Sequence, residues 1–93
     1  MIIAFTDDAW DDYLFWQRAD AAVLRRINEL IRDTKRSPLR SPFLGLGKPE
    51  PLKGALSGWW SRRITGDHRL VYRVTGKGEA QHLQIAACRL HYE

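Results

Sequence analysis

The chain has 93 residues, 44% of them hydrophobic, 28% charged and 11% aromatic, with a formal net charge of +4. That is enough for one domain, residues 1–93, with one modest core, and the composition excludes a disordered polar chain. No apolar run approaches the ~20 residues a membrane span needs, and Met1-Ile2-Ile3-Ala4-Phe5 lacks the basic start of a signal peptide, so a cytoplasmic location with no membrane partner is expected.

Ile2 to Phe5 reads as a first strand. Thr6 is placed to cap a helix, with Asp7 and Asp8 where acids favour a helix N-terminus. From Asp8 to Arg18, Trp10, Tyr13, Leu14 and Gln17 fall at helical spacing, widened by Phe15 and Trp16. Asp20 reads as a second N-cap. Val23, Leu24, Ile27, Leu30, Ile31 and Thr34 then mark the clearest helical period in the chain. The short link predicts an antiparallel helical hairpin. Its polar face (Arg25, Arg26, Glu29, Arg32, Asp33, Arg36) fits a solvated surface or an RNA or partner surface.

Ser37 to Pro51 contains Pro38, Pro42, Gly45, Gly47, Pro49 and Pro51 and predicts a loop. Leu52-Lys53 reads as a brief extended piece. Trp59 to Ile64 alternates, with Trp59, Ser61 and Arg63 on one face and Trp60, Arg62 and Ile64 on the other. Thr65-Gly66-Asp67 is a turn. Arg69, Val71 and Arg73 then alternate with Leu70, Tyr72 and Val74. After a second turn at Thr75 to Gly78, His82 to Ala87 forms the last strand, with Leu83, Ile85 and Ala87 inward. The predicted architecture is α+β: an N-terminal strand and a two-helix antiparallel hairpin packed on one face of a mostly antiparallel sheet.

The single cysteine, Cys88, excludes an internal disulfide, and with His68, His82 and His91 it shows no zinc spacing; neither metal nor cofactor is expected. Residues 1–47 carry seven basic and seven acidic side chains, and residues 48–93 carry eight and four. The whole positive excess therefore sits in the second half. This suits an anionic partner on the C-terminal sheet, and equally suits solvated charges on exposed strands.

Three groups could do chemistry. Glu50 stands between Pro49 and Pro51, which restrict the backbone on both sides; it reads as a held carboxylate or as an ordinary loop glutamate. Arg63 and Arg69 flank a strand turn, where two guanidinium forks can clamp a phosphate or pair with a surface acid such as Asp67. His91 and Tyr92 end the chain just before Glu93 and by themselves read as a terminal tail, although an imidazole can exchange a proton near neutral pH.

These alternatives meet a resemblance that covers nearly the whole chain. Trp10-Asp11-Asp12-Tyr13-Leu14 with Trp16-Gln17, Ile27-Asn28-Glu29-Leu30-Ile31, Gly47-Lys48-Pro49-Glu50-Pro51-Leu52-Lys53 and Leu56-Ser57-Gly58 carry it. So do Trp60-Ser61-Arg62-Arg63-Ile64-Thr65, His68-Arg69-Leu70-Val71-Tyr72 and the ending Cys88-Arg89-Leu90-His91-Tyr92. The chain resembles the YoeB-type toxins of the RelE superfamily, the messenger-RNA-cleaving members of bacterial toxin–antitoxin pairs. It departs from them in a longer loop over 39–46 and in the added Glu93.

The resemblance implies a RelE-like, microbial-RNase-like fold and a metal-free endoribonuclease that acts on messenger RNA in the ribosomal A site. It places catalytic roles on Glu50, Arg69, His91 and Tyr92. Lys53 and Arg63, with Arg62 and Arg73 of the same basic strands, are expected to hold RNA. A YefM-like antitoxin is the expected protein partner, and self-association into a homodimer is left open. The competing readings are a non-catalytic RNA- or ribosome-binding inhibitor of translation, and a DNA-binding regulator. The second lacks a helix–turn–helix with a basic recognition helix.

Overall fold

The computed structural model describes residues 1–36 and 45–90. Its elements run β1 (Ile2–Phe5), α1 (Asp7–Ala19), α2 (Ala21–Arg36), β2 (Glu50–Pro51), β3 (Trp60–Arg63), β4 (Arg69–Thr75) and β5 (His82–Ala87), with short 3-10 turns at Gly54–Leu56 and Gly78–Ala80. Both expected caps form. The Thr6 hydroxyl accepts the Ala9 amide at 3.1 Å, and the Asp20 carboxylate accepts the Ala22 and Val23 amides. Each satisfies donors that the first helical turn leaves unpaired. No helix among the described residues is long and apolar enough to cross a membrane.

The strands form one sheet in the order β1-β5-β4-β3-β2. β1 runs parallel to β5: the helical hairpin carries the chain from β1 to β2 at the far edge, and the antiparallel run β2 to β5 brings it back beside β1. The brief strand after the loop is Glu50–Pro51, two residues earlier than the expected Leu52-Lys53, because Glu50 pairs with Ser61 and Pro51 with Trp60. The helices cover one face. Ala9, Trp16, Val23, Ile27, Leu30 and Ile31 pack there against Leu70, Tyr72, Leu83 and Ile85.

Two expectations need correction, one about a strand face and one about a residue's role. Ala87 does not continue the inward row of Leu83 and Ile85. A bulge pairs Tyr72 with Ile85 but Val71 with Ala87, so Ala87 joins the face away from the helices and Cys88 enters the core. More consequential is Arg62, expected among the RNA-binding residues. It shares the inward face with Trp60, and its side chain is 1% exposed. Its Nη1 donates to Asp33 Oδ2 at 2.6 Å and to the Leu46 carbonyl at 3.1 Å, and its Nε donates to the Tyr72 hydroxyl at 3.0 Å. Arg62 is a structural cation, fully engaged inside the protein, and offers no surface to RNA.

This buried pair also fixes the path into β2. The Leu46 amide donates to Asp33 Oδ2, so Arg62 and Asp33 together grip the peptide at Leu46. The Arg63 amide then donates to the Gly47 carbonyl at 2.6 Å. Gly47 has φ +78°, and a Cβ there would lie 2.9 Å from both the Arg63 carbonyl oxygen and a Leu30 methyl. Glycine is required on conformational and steric grounds at once. The motif Gly47-Lys48-Pro49-Glu50 is thus a chain clamped against β3 just before its carboxylate.

Candidate active site

The face of the sheet away from the helices carries the polar residues in rows set by the register. Cross-strand partners share a face, so Arg63 opposite Arg69 makes one row. Glu50, Ser61, Val71 and Ala87 make the next. Trp59, Arg73 and Gln84 make a third, with the Arg73 guanidinium 4.4 Å above the Trp59 ring. Three guanidinium groups and one carboxylate therefore stand together on a helix-free face. Glu50 and Arg69 lie two strands apart and two residues along, a Cα separation of about 12 Å from sheet geometry. Side chains of that length can reach opposite sides of one phosphodiester placed between them.

Glu50 is exposed at the sheet edge, positioned by Pro49, Pro51 and its pairing to Ser61. Arg69 is half-buried, and its side-chain Nη1 donates to the carbonyls of Thr65, Gly66 and His68. The side chain is thus braced against its own β3–β4 turn, which holds the guanidinium plane in a set orientation. Lys53 is exposed just past β2. Arg63 is exposed and Arg73 half-buried, each on the helix-free face.

His91 and Tyr92 lie outside the described residues. The segment that leads to them is strongly tied down. The Trp16 indole donates to the Cys88 carbonyl at 2.8 Å, and the Cys88 amide donates to Asp12 Oδ2 at 3.1 Å. Burial pushes the Asp12 carboxyl up, against the opposing pull of that amide and of the Arg89 charge. Arg89 itself stacks over Phe15 at 3.7 Å. Leu90 is held at both ends: its amide donates to His68 Nδ1 at 2.8 Å, and its carbonyl accepts from the Arg69 amide at 2.9 Å.

Sequence reasoning assigned no role to His68, Asp12 or Trp16. Asp12 falls on the acidic side and Trp16 on the aromatic side of the first helix, and His68 stands between the Thr65-Gly66-Asp67 turn and the strand that starts at Arg69. Their common task, fastening Cys88 to Leu90 beside Arg69, joins residues more than 70 positions apart for the helix pair, and no local pattern marks it. The His68 ring also meets Trp16 edge-on at 4.8 Å. His68→Ala is expected to release the Leu90 amide, leaving Leu90 held only through its carbonyl to the Arg69 amide, and to lower activity at least severalfold, while stability falls by only about 1 kcal/mol, the usual worth of one hydrogen bond. Parallel activity and melting measurements check this; activity that follows the melting loss alone would contradict it.

Cys88 offers no competing chemistry. It is buried, its Sγ points to the Ala9 carbonyl, and burial pushes its thiol up to about 12, with Asp12 adding to the shift. A thiol so raised is not a nucleophile near neutral pH.

Residues 5–92 match the family model described as the YoeB-like toxin of the bacterial type II toxin–antitoxin system. Toxin YoeB of Escherichia coli K12 is 55% identical over 92 residues, covering 99% of this chain and 100% of that protein. Among solved structures, a YoeB/ParE toxin from Agrobacterium tumefaciens superposes with a TM-score of 0.90 at 56% identity, over 99% of this chain and 100% of that one. The YoeB–YefM complex of Staphylococcus aureus gives 0.84 at 39% identity over 99% and 98%, and YoeB of that organism has also been solved as a dimer. With its helical hairpin on a five-stranded mixed sheet and a match over nearly its full length, the chain belongs to the YoeB-like toxins of bacterial type II toxin–antitoxin systems.

Proposed function

We propose that this toxin is a ribosome-dependent endoribonuclease that cuts messenger RNA in the ribosomal A site without a metal, using the substrate's own 2′-hydroxyl. The observation that carries this reading is the register that sets Glu50 and Arg69 on one helix-free face, about 12 Å apart at Cα. Glu50 takes the proton of the 2′-hydroxyl. The 2′-oxygen bonds to phosphorus, and the bond to the 5′-oxygen breaks. Arg69 meets the charge that builds on the phosphate, its orientation fixed beforehand by the turn carbonyls. His91 protonates the leaving 5′-oxygen or shares base duty with Glu50, and Tyr92 positions the RNA. The double tether of Leu90 to His68 and Arg69 supports these two roles, since it anchors the residue before them at the catalytic arginine. Arg63, Arg73 and Lys53 hold neighbouring parts of the strand. General acid–base groups supply about 10²–10⁴-fold; positioning on the ribosome supplies the rest.

An acidic segment of a YefM-like antitoxin, disordered when free, covers this basic face and orders on it. The S. aureus complex supports that partner, and the S. aureus dimer supports self-association of the free toxin. A saturated toxin–antitoxin complex is expected to lose RNA cleavage; a complex that cuts as fast as free toxin would refute the covering.

Ribosomes programmed with defined messages test the mechanism. The upstream product should carry a 2′,3′-cyclic phosphate or the 3′-phosphate formed from it. A 2′-O-methyl group at the cut should stop the reaction. Chelation in a minimal assay should not, provided the ribosomes keep their magnesium. A 3′-hydroxyl end, or normal cutting of the methylated message, overturns the mechanism. Translation arrest with no new messenger-RNA ends would leave a non-catalytic inhibitor instead.

A further inference from the structure

The third row of the helix-free face does more than add charge. Ala4, Phe5, Thr6, Trp59, Arg73 and Gln84 line a cleft of about 320 Å³. It lies one row from Glu50 and extends across the sheet from β3 to β1; Arg73 is two strands across and two residues along from Glu50, about 12 Å at Cα from sheet geometry, on the opposite side of Glu50 from Arg69. Arg73 is not presented as a loose point charge. Its guanidinium lies over the Trp59 ring, and its Nε donates to Gln84 Oε1. Those contacts fix the plane of the guanidinium and leave its Nη groups and the Gln84 amide nitrogen as donors. A planar cation backed by an indole, with donors at the rim and no carboxylate in the lining, suits a flat group that presents acceptors.

We propose that this cleft is a nucleobase subsite, which takes the base of a messenger-RNA nucleotide adjacent to the cut by stacking on Arg73 and hydrogen bonding to Gln84. Both interactions are established ways of holding single-stranded RNA. The proposal rests on the nuclease reading for the identity of the strand. It goes beyond it by assigning Trp59, Arg73 and Gln84 to a base rather than to the phosphates. Arg73 is here a binding residue, and its loss acts on substrate affinity.

The test uses ribosomes carrying messages with an abasic nucleotide at each position flanking the cut. With the parent toxin, one position should raise the half-saturating toxin concentration by about 5–100-fold, the usual worth of a stacked base. In Trp59→Ala/Arg73→Ala the intact message should weaken by a similar factor, and the abasic penalty should shrink to about twofold or less, because the base has lost its platform. Arg73→Lys keeps the charge without the plane and should behave like the double variant. The proposal is overturned by an abasic penalty at no position, by a penalty undiminished in the variants, or by full rescue with lysine. It is also overturned if the variants lose antitoxin affinity while the base dependence persists, which would assign the cleft to the antitoxin. Should the intact message not be cut at all, the nuclease reading fails on its own. The subsite is then read from the fluorescence anisotropy of labelled short RNAs, intact and abasic, where equal affinities overturn it.

Discussion

Arg69→Ala is expected to lower the single-turnover rate on programmed ribosomes by about 10²–10³-fold, the cost of removing one preorganised donor from developing charge. Glu50→Ala should cost about 10²–10⁴-fold, the span of a general base. The two differ in what else they disturb. Glu50 is exposed and pairs through its backbone with Ser61, so its removal should leave the melting temperature almost unchanged. Arg69 also ties the Thr65–Gly66 turn through Nη1, so its alanine variant should melt somewhat lower while remaining folded and competent to bind antitoxin. Antitoxin binding by both variants is therefore the control. A loss below about tenfold, or ~1.4 kcal/mol of transition-state stabilisation, for either variant would remove that residue from the catalytic set.

The largest effect on stability should come from Arg62, not from any residue of the site. Arg62→Ala leaves Asp33 without its cation, and the Tyr72 hydroxyl and the Leu46 carbonyl without their donor. Asp33 is 22% exposed against 1% for Arg62, so the charge left behind is partly solvated and the cost falls toward the lower end of the ~3–5 kcal/mol for breaking a fully buried pair. That is a large share of the ~5–15 kcal/mol that holds a domain of this size together. At roughly 4–8 °C per kcal/mol, the melting temperature should fall by an amount toward the lower end of about 12–40 °C, if the variant folds at all. Arg62→Lys, which keeps the charge but not the fork, should recover only part of the loss. A fall in stability under about 1 kcal/mol on Arg62→Ala would mean that the pair contributes little.

The same pair sets an acid limit. Burial alone would raise the Asp33 carboxyl, but the Arg62 hydrogen bond, the Leu46 amide and the Arg62 and Arg36 charges outweigh it and hold the group below its usual range. A carboxyl depressed on folding contributes stability above its unfolded pKa, near ~3.9, and loses it as pH falls through the folded value. The gap in urea midpoint between the parent and Arg62→Ala should accordingly narrow below about pH 4. A gap that stays constant into acid would show that the cost is lost packing rather than lost charge pairing. Since Asp33 and Arg62 both grip Leu46 ahead of Glu50, partly destabilised variants should also lose activity sooner than global unfolding predicts.

Much of this molecule was legible without coordinates. Thr6 and Asp20 announced the two helices because a short polar oxygen before an apolar period has one local use, to satisfy the first amides. Val23, Ile27, Leu30, Ile31 and Thr34 named the buried face of α2 because a period of 3.6 residues leaves one stripe to pack. The grouping of Arg63 and Arg69 followed from a short turn between two alternating strands. Alternation has period 2, however, and states only that neighbours point apart. It could not say whether Arg62 or Arg63 would enter the core. That was decided by Asp33, 29 residues away on α2, which supplies the charge that makes a buried guanidinium tolerable. Nor could it foresee the bulge that turns Ala87 outward, or the fastening of Leu90 by His68 and Arg69. Local spacing determined the elements and their faces in pairs; long-range polar contacts, which no periodicity records, decided which face was inside and where the chain's last described residue was held.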